Sequence, residues 1–493
     1  MTSTSGDRTG PALRRLVAVI LLGGMLGILN STMVAAGVDV LAHTFHASLS
    51  AVGWVSSGFL LAVTVTIPVT GWAVTRYGGK RLWLLGLGLF VLAALACGLA
   101  WNLPSLIAFR VVQGVAAGVL DPLVLTLLAR AAGPARVGRV MGLMAAVLSL
   151  GPVLGPVLGG AVLAGLGWRW LLWVSVPIGV AAAALAYRIM PTDPPAGSAG
   201  VPSTGTAVDP PAGLTAGLAR TRLDVLGVAL LGPGFAGVLL ALTGGADRMG
   251  WGALAPLGAG LVLLAAYGAH ALRRPAAALI DLRLFTRGGF TAGVGVMALT
   301  GVAMYASLFA VPLYLQQVRG YGTLAAGLLV APLGIGAAVA APLAGRLSDR
   351  LGSRNLALAG ALIAAASALA LTRTGAHTAL AWLVAGAVAI GAGLGFVGPP
   401  AMGSLYRTLP AELIPQGSSV LYMLNQLGAA LGIAATALTV QTATGPLAGT
   451  RHVYWLVAAA CTVVAGTAAL LPGRPAAADQ PADLPAGAQE VSR

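Results

Sequence analysis

Two ionisable side chains, Arg110 and Asp121, stand within one apolar run of the chain, residues 104–129. They lie eleven positions apart, about 16 Å along a helix and ~20° around it, so they share a face without forming a direct salt bridge. A carboxyl on such a face can take up and release a proton. A guanidinium beside a carboxyl can bias its protonation or hold an anionic group. Asp121 precedes Pro122, so the competing reading is a bend residue bonded within its own helix.

Other polar groupings carry less. Asp39, His43 and His46 have a spacing that could converge on a metal if helical, but a solvated outer loop is the simpler reading, and no metal is expected. Gly391-x-Gly393-x-Gly395 lies in a hydrophobic run without the strand-turn-helix context of a dinucleotide site. Cys97 and Cys461 also fall inside apolar runs and read as small buried hydrophobes. No Gly-x-x-x-x-Gly-Lys-(Ser/Thr) loop occurs, which argues against a hydrolysing pump. Neither a cofactor nor an enzymatic activity is expected.

The elements that must position these groups follow from composition. Of 493 residues, 58% are apolar and 8% charged, against about a quarter charged in soluble domains. Mean hydropathy is +0.91. With about 20 apolar residues needed per crossing, fourteen runs qualify: 16–38, 52–74, 82–101, 104–129, 140–164, 170–187, 225–243, 252–272, 289–315, 323–345, 355–372, 378–403, 413–441 and 452–472. The fold class expected is all-α integral membrane, with fourteen transmembrane helices. The first run is too long for the ~7–15-residue core of a cleaved signal peptide and is read as a retained helix. The pair at 225–272 is the least secure, being rich in Gly and Ala.

Charge placement sets orientation. With the N-terminus inside, 22 of the 28 Lys and Arg residues fall in inner segments, and only Arg169, Arg248, Arg319, Arg373 and Arg451 in outer ones. Cytoplasmic loops carry such an excess, so both termini are placed in the cytoplasm. The net charge of +15 is therefore a topology signal, and no nucleic-acid partner is expected. Residues 191–222 are dominated by Pro, Gly, Ala, Ser and Thr and read as a flexible linker; 473–493 read as a disordered tail. They frame an N-terminal bundle at 1–190, a two-helix hairpin at 223–275 and a C-terminal bundle at 276–472.

An internal repeat supports two bundles. Pro68-Val-Thr-Gly71-Trp-Ala-Val-Thr75-Arg76-Tyr-Gly78-Gly79-Lys80 aligns without gaps on Pro342-Leu-Ala-Gly345-Arg-Leu-Ser-Asp349-Arg350-Leu-Gly352-Ser353-Arg354, each copy ending an apolar run and opening a basic loop. Repeats of this kind build transporters whose halves rock about a midplane site.

The loop from Gly345 to Arg354 resembles the signature between helices two and three of the major facilitator superfamily. Gly151-Pro152-Val-Leu-Gly155-Pro156-Val-Leu-Gly159-Gly160 is similar to its antiporter signature, and Arg110-Val-Val-Gln113-Gly114 to its Arg-x-x-Gln-Gly motif. Trp168-Arg169-Trp170, Leu282-Arg-Leu-Phe285 and Pro312-Leu-Tyr314-Leu-Gln316 are similar to the fourteen-helix drug:proton antiporter branch, and the resemblance runs from about residue 20 to 470. It implies two six-helix bundles with an inserted hairpin and export of amphipathic small molecules in exchange for protons. The implied setting is the cell (inner) membrane, as a monomer among lipids. A facilitator or symporter for one metabolite, or a membrane sensor, are the alternatives.

The resemblance also assigns residues. The glycines and prolines of 151–160 would form a pliable interface between bundles, since small residues at four-residue spacing let helices approach closely. The basic loops would meet carboxylates or helix C-termini and hold one conformation closed. In the first copy the family's Asp is Thr75, leaving Asp349 as the better latch. Leu29-Asn30-Ser31-Thr32 matches a stretch whose second residue is Asp in the branch, so Asn30 cannot carry a proton there. Asp39, nine positions on, faces roughly the opposite way. Either Asp121, with Arg110 on the same helix, has taken over proton coupling, or coupling is weak, or the substrate's own charge drives exchange. A cavity for bulky ligands is expected from Asn30, Trp54, Phe59, Gln113, Tyr305, Tyr314, Tyr422, Asn425 and Gln426.

Overall fold

A computed structural model describes residues 10–132, 150–191, 223–243, 251–274, 278–409 and 414–471. The expected linker beyond Pro191, the tail at 473–493 and the first part of the fifth run, 140–149, lie outside the described residues. So do the side chains of Thr75, Pro152, Asp349 and Arg350.

The described chain is helical. The helices are α1 (Gly10–Ala36), α2 (Val38–Phe45), α3 (Leu49–Tyr77), α4 (Gly79–Gly98), α5 (Leu103–Ala132), α6 (Gly151–Gly165), α7 (Trp168–Trp173) and α8 (Ser175–Ile189). Next come α9 (Val225–Thr243), α10 (Trp251–Arg273), a 3₁₀ turn at Leu282–Thr286 and α11 (Gly288–Leu313), which runs into a π-helical turn at Tyr314–Val318. The last are α12 (Thr323–Leu351), α13 (Ser353–Leu371), α14 (Leu380–Thr408), α15 (Ile414–Thr442) and α16 (Pro446–Ala468). Among the described residues, 13 helical segments are long and apolar enough to cross a membrane, and the shorter Val153–Gly165 is also apolar.

The distribution of side chains inverts that of a soluble protein. Leu85, Leu92, Val262, Leu328 and Leu362 are exposed, on a surface that hydrocarbon would cover, whereas α13 buries Ala357, Gly360, Ala361, Ala364, Ala365 and Ala368. Lipid offers no hydrophobic drive for helix association, so close van der Waals contact between small residues supplies it. A Cβ on Gly360 of α13 would stand 2.5 Å from the Gly393 carbonyl of α14, and one on Gly393 would stand 2.5 Å from the Gly360 carbonyl. The glycines are what allow those backbones to touch.

The halves are built alike. In the first, α3 packs on α5, α4 on α5 and α8, and α1 on α6, α8 and α5. In the second, α12 packs on α14, α13 on α14 and α16, and α11 on α15, α16 and α14. Substituting helix for helix in order maps one set onto the other. Contacts between halves obey the same exchange, α6 meeting α12 and α3 meeting α15. Helices α9 and α10 pack on each other, and α9 touches both α3 and α15. Asp224 ties this pair to the segment leading into α11: its carboxylate accepts from Gly227 N at 2.8 Å and Leu279 N at 3.2 Å, and lies 2.9 Å from His270 Nε2.

The repeated loop explains its own residues. Gly78 and Gly352, equivalent in the alignment, have φ of 86° and 82°, a region open to glycine and costly for residues with a Cβ. Each breaks one helix and starts the next. Two residues on, Lys80 Nζ donates to Met190 O at 2.6 Å and Arg354 Nε to Leu471 O at 3.0 Å. Each cation caps the last described transmembrane helix of its own half, where unpaired carbonyls and the helix dipole favour positive charge. These two cations thus meet helix C-termini within their own halves. Gly352→Ala is expected to lower stability by about 1–2 kcal/mol, measured as a drop in thermal midpoint. Gly345→Ala, on a helix with open space around its Cβ position, should be neutral or stabilising.

Candidate functional site at the seam of the halves

Arg110 is fully buried between α1, α3 and α5. Its Nε donates to Val55 O at 2.9 Å, and its Nη1 donates to Gln113 Oε1 at 2.7 Å and to Asn30 Oδ1. The guanidinium stacks 4.3 Å from the centroid of the Phe59 ring. Asn30 Nδ2 donates in turn to Ser175 Oγ at 3.4 Å, and Ser175 Oγ to Leu172 O at 2.6 Å. The Cys97 thiol points at Gln113 Oε1 from 4.0 Å. Sequence reasoning puts Arg110 with Asp121 for proton coupling, and Asn30 and Gln113 in a substrate cavity; the structure instead bonds Arg110 to Asn30 and Gln113. The partners that hold it are neutral, and the network belongs to the core of the first half.

Asp121 occupies different surroundings. It is half-buried, and Tyr422 Oη of α15 donates to its Oδ2 at 3.1 Å. On the α1 side a Cβ at Gly27 would stand 3.5 Å from Asp121 Oδ1, so the absence of a side chain there leaves the carboxyl room. Tyr305 of α11 is half-buried and packs against the core shared by the two halves. A carboxyl of one half, a tyrosine of the other and the α1 backbone at Gly27 therefore meet at the seam. The internally bonded bend reading of Asp121 does not describe its partner, which is 301 residues away in sequence.

The other expected cavity residues divide. Trp54 is half-buried on α3 and Gln426 is buried on α15. Asn425 faces its own half, donating to Met297 O at 2.8 Å. Tyr314 is buried and donates to Gly375 O at 2.8 Å, lining a small apolar pocket with Tyr454 and Leu383 inside the second half. Those two are not brought to Asp121. Residue type marked them; helical face decides, and it sends them inward.

The glycine stripe of α6 also divides. Cβ atoms at Gly151 and Gly155 would overlap Ile28 and Thr32, and one at Gly159 would stand 2.7 Å from Met33 O, all on α1 of the same half. Gly160 and Pro156 face the other half, against Thr323 and Gly327 of α12. The stripe therefore has two neighbours, α1 within its half and α12 across the seam.

The hydrogen bonds described between halves run from the middle of the helices to the end bearing Asp39. Besides Asp121 and Tyr422, Ser57 Oγ donates to Ala430 O at 3.2 Å and Thr323 Oγ1 to Gly160 O at 3.3 Å. At the far end, Gln316 Nε2 donates to Ala36 O at 3.3 Å and Gln317 Nε2 to Asp39 Oδ1 at 2.6 Å. Sequence reasoning missed this latch, although Gln316 belonged to a recognised stretch. Asp39 has His43 at 3.8 Å; among the described residues no three His, Cys, Asp or Glu side chains are grouped to hold a metal.

Two halves with one packing pattern, joined along a seam that holds an ionisable carboxyl, define a multi-pass helical membrane transporter. The chain belongs to the Major Facilitator Superfamily, whose sequence model matches residues 20–433 and 294–492. It is 33% identical over 438 residues to a multidrug resistance protein B homolog of Mycobacterium tuberculosis, covering 87% of this chain and 76% of that one. It is 28% identical to the tetracenomycin C resistance and export protein of Streptomyces glaucescens, covering 88% and 76%. Identity is 25% to a lincomycin resistance protein of Listeria monocytogenes, covering 90% and 88%.

Proposed function

We propose that the protein exports hydrophobic, drug-like compounds or natural products in exchange for protons, by alternating access. The observation that carries this is the Asp121–Tyr422 hydrogen bond across the seam, because a proton on that carboxyl changes a bond between the moving parts. Ionised, Asp121 accepts a charge-assisted bond from Tyr422; protonated, it loses that strength. Relatives named for multidrug resistance, lincomycin resistance and tetracenomycin export support the substrate class.

In this reading the chain has fourteen transmembrane helices: two six-helix bundles, with α9 and α10 as an inserted hairpin. It works as a monomer in the cell (inner) membrane, with the basic Gly78 and Gly352 end and both termini in the cytoplasm, following the distribution of Lys and Arg. The arrangement is then the one closed to the outside by Asp39, Gln316 and Gln317. One proton moving inward across 100 mV supplies about 2.3 kcal/mol, enough for a ~50-fold gradient of an uncharged substrate.

The test is proton movement in proteoliposomes of the full chain, read with a trapped pH-sensitive dye as drug-like compounds are added. Drug-dependent proton flux against an imposed pH gradient is expected. Drug movement with no proton movement would make the protein a facilitator, a reading that the neutral Asn30 favours. Neither movement, for any of a chemically broad set, would remove transport of this class.

A further inference from the structure

Arg110 poses a problem that transport by Asp121 does not use. A fully buried guanidinium normally has a carboxylate, because an uncompensated interior charge costs several kcal/mol. Among the described residues, the hydrogen-bond partners of Arg110 are the Val55 carbonyl, Gln113 and Asn30, all of them neutral. Asn30 stands against its Nη1 and supplies an amide oxygen without charge. Two buried donors remain without a hydrogen-bond partner, Arg110 Nη2 and Gln113 Nε2, and they belong to side chains bonded to each other through Nη1 and Oε1 at 2.7 Å. Both residues are 0% exposed. What is left over is a positive charge and N–H groups only, so the complementary group is an acceptor with negative charge.

We propose that Arg110, Gln113 and Asn30 form an anion-binding site in the core of the first half, taking a small inorganic anion such as chloride or the carboxylate of a substrate. Asn30 is what opens the site. A carboxylate at that position would itself neutralise Arg110, so the anion here comes from solution. Asn30 and Gln113 orient the guanidinium, and the Phe59 ring covers its face.

The test needs no transport, so its failure is distinct from failure of the export reading. The purified full chain is equilibrated in sodium isethionate, and chloride or benzoate is titrated in at constant ionic strength while the thermal midpoint is followed. A saturable rise of about 2 °C or more is expected. A response to chloride alone identifies an inorganic anion; one to benzoate alone, a substrate carboxylate; competition between them, one site for both. Asn30→Asp supplies an internal carboxylate and is expected to raise the starting midpoint and weaken anion affinity at least ~10-fold. Gln113→Glu does the same from the other side of Nη1, and serves if the first variant does not fold. No midpoint shift with either anion would mean that water satisfies these donors, and overturns the proposal. So would an undiminished shift in the carboxylate variants, which would place the anion on the basic loops.

Discussion

Asp121→Asn proteoliposomes are expected to show drug-driven proton flux at the leak level, with the attainable drug gradient lower by about 50-fold per 100 mV of driving force. Asparagine keeps the size of the side chain and an oxygen that Tyr422 can still donate to, so the seam holds together. Only the capacity to ionise is lost. Drug binding and downhill exchange should therefore persist, which separates this outcome from misfolding. Normal drug-driven proton movement in the variant would dismiss Asp121 as the coupling group. Asn30→Asp provides the contrast: its carboxylate would face Arg110, and a pair of opposite charges favours the ionised form. Unchanged coupling in that variant would show that the neutral residue at position 30 is not what limits coupling.

The second large effect concerns the contact of α6 with α12. Gly160 faces the Thr323 carbonyl and the Leu324 Cα at 3.0 Å, and Gly327 faces the Pro156 carbonyl. Backbone lies on both sides, so no rotamer change can make room. Gly160→Val should cost the closed arrangement about 1–3 kcal/mol, shifting the population roughly 5- to 150-fold towards separation at this end. A cysteine at Gly53, whose Cβ would stand 3.5 Å from Ala437 across the α3–α15 contact, reports that opening. Cys97 and Cys461 are buried and give little background. The expected result is faster labelling by a membrane-impermeant maleimide, together with impaired transport. Gly165→Val, on the same helix but with nothing near its Cβ position, should change neither. Equal labelling of the two variants would mean that α6–α12 contact does not control closure.

Much of the fold is legible in the sequence because its signals are local. The length of an apolar run marks a helix, and the punctuation at Gly78 and Gly352 marks where one ends and the next begins. The alignment of the two loops anticipates a duplicated packing pattern. The site is less legible, since its bonds join distant residues. Arg110 meets Asn30 across 80 positions and Asp121 meets Tyr422 across 301. Helical spacing tells which residues of α6 share a face, but not that the stripe is divided between α1 and α12. For the same reason Tyr314 and Asn425 carry suitable side chains and point the wrong way, whereas Tyr422 carries one and points at the carboxyl.

Lys80 and Arg354 answer to two readers. To the machinery that threads the nascent chain into a bilayer, each is one more cation that holds a loop on its side. To the finished protein, each is the stopper on a helix more than a hundred residues downstream, at Met190 and Leu471. Neutralising either to probe topology therefore also uncaps that helix. A swap of Lys for Arg keeps the charge count but changes the donor geometry at the carbonyl. The pair of exchanges, Lys80→Arg and Arg354→Lys, consequently separates the insertion signal from the cap.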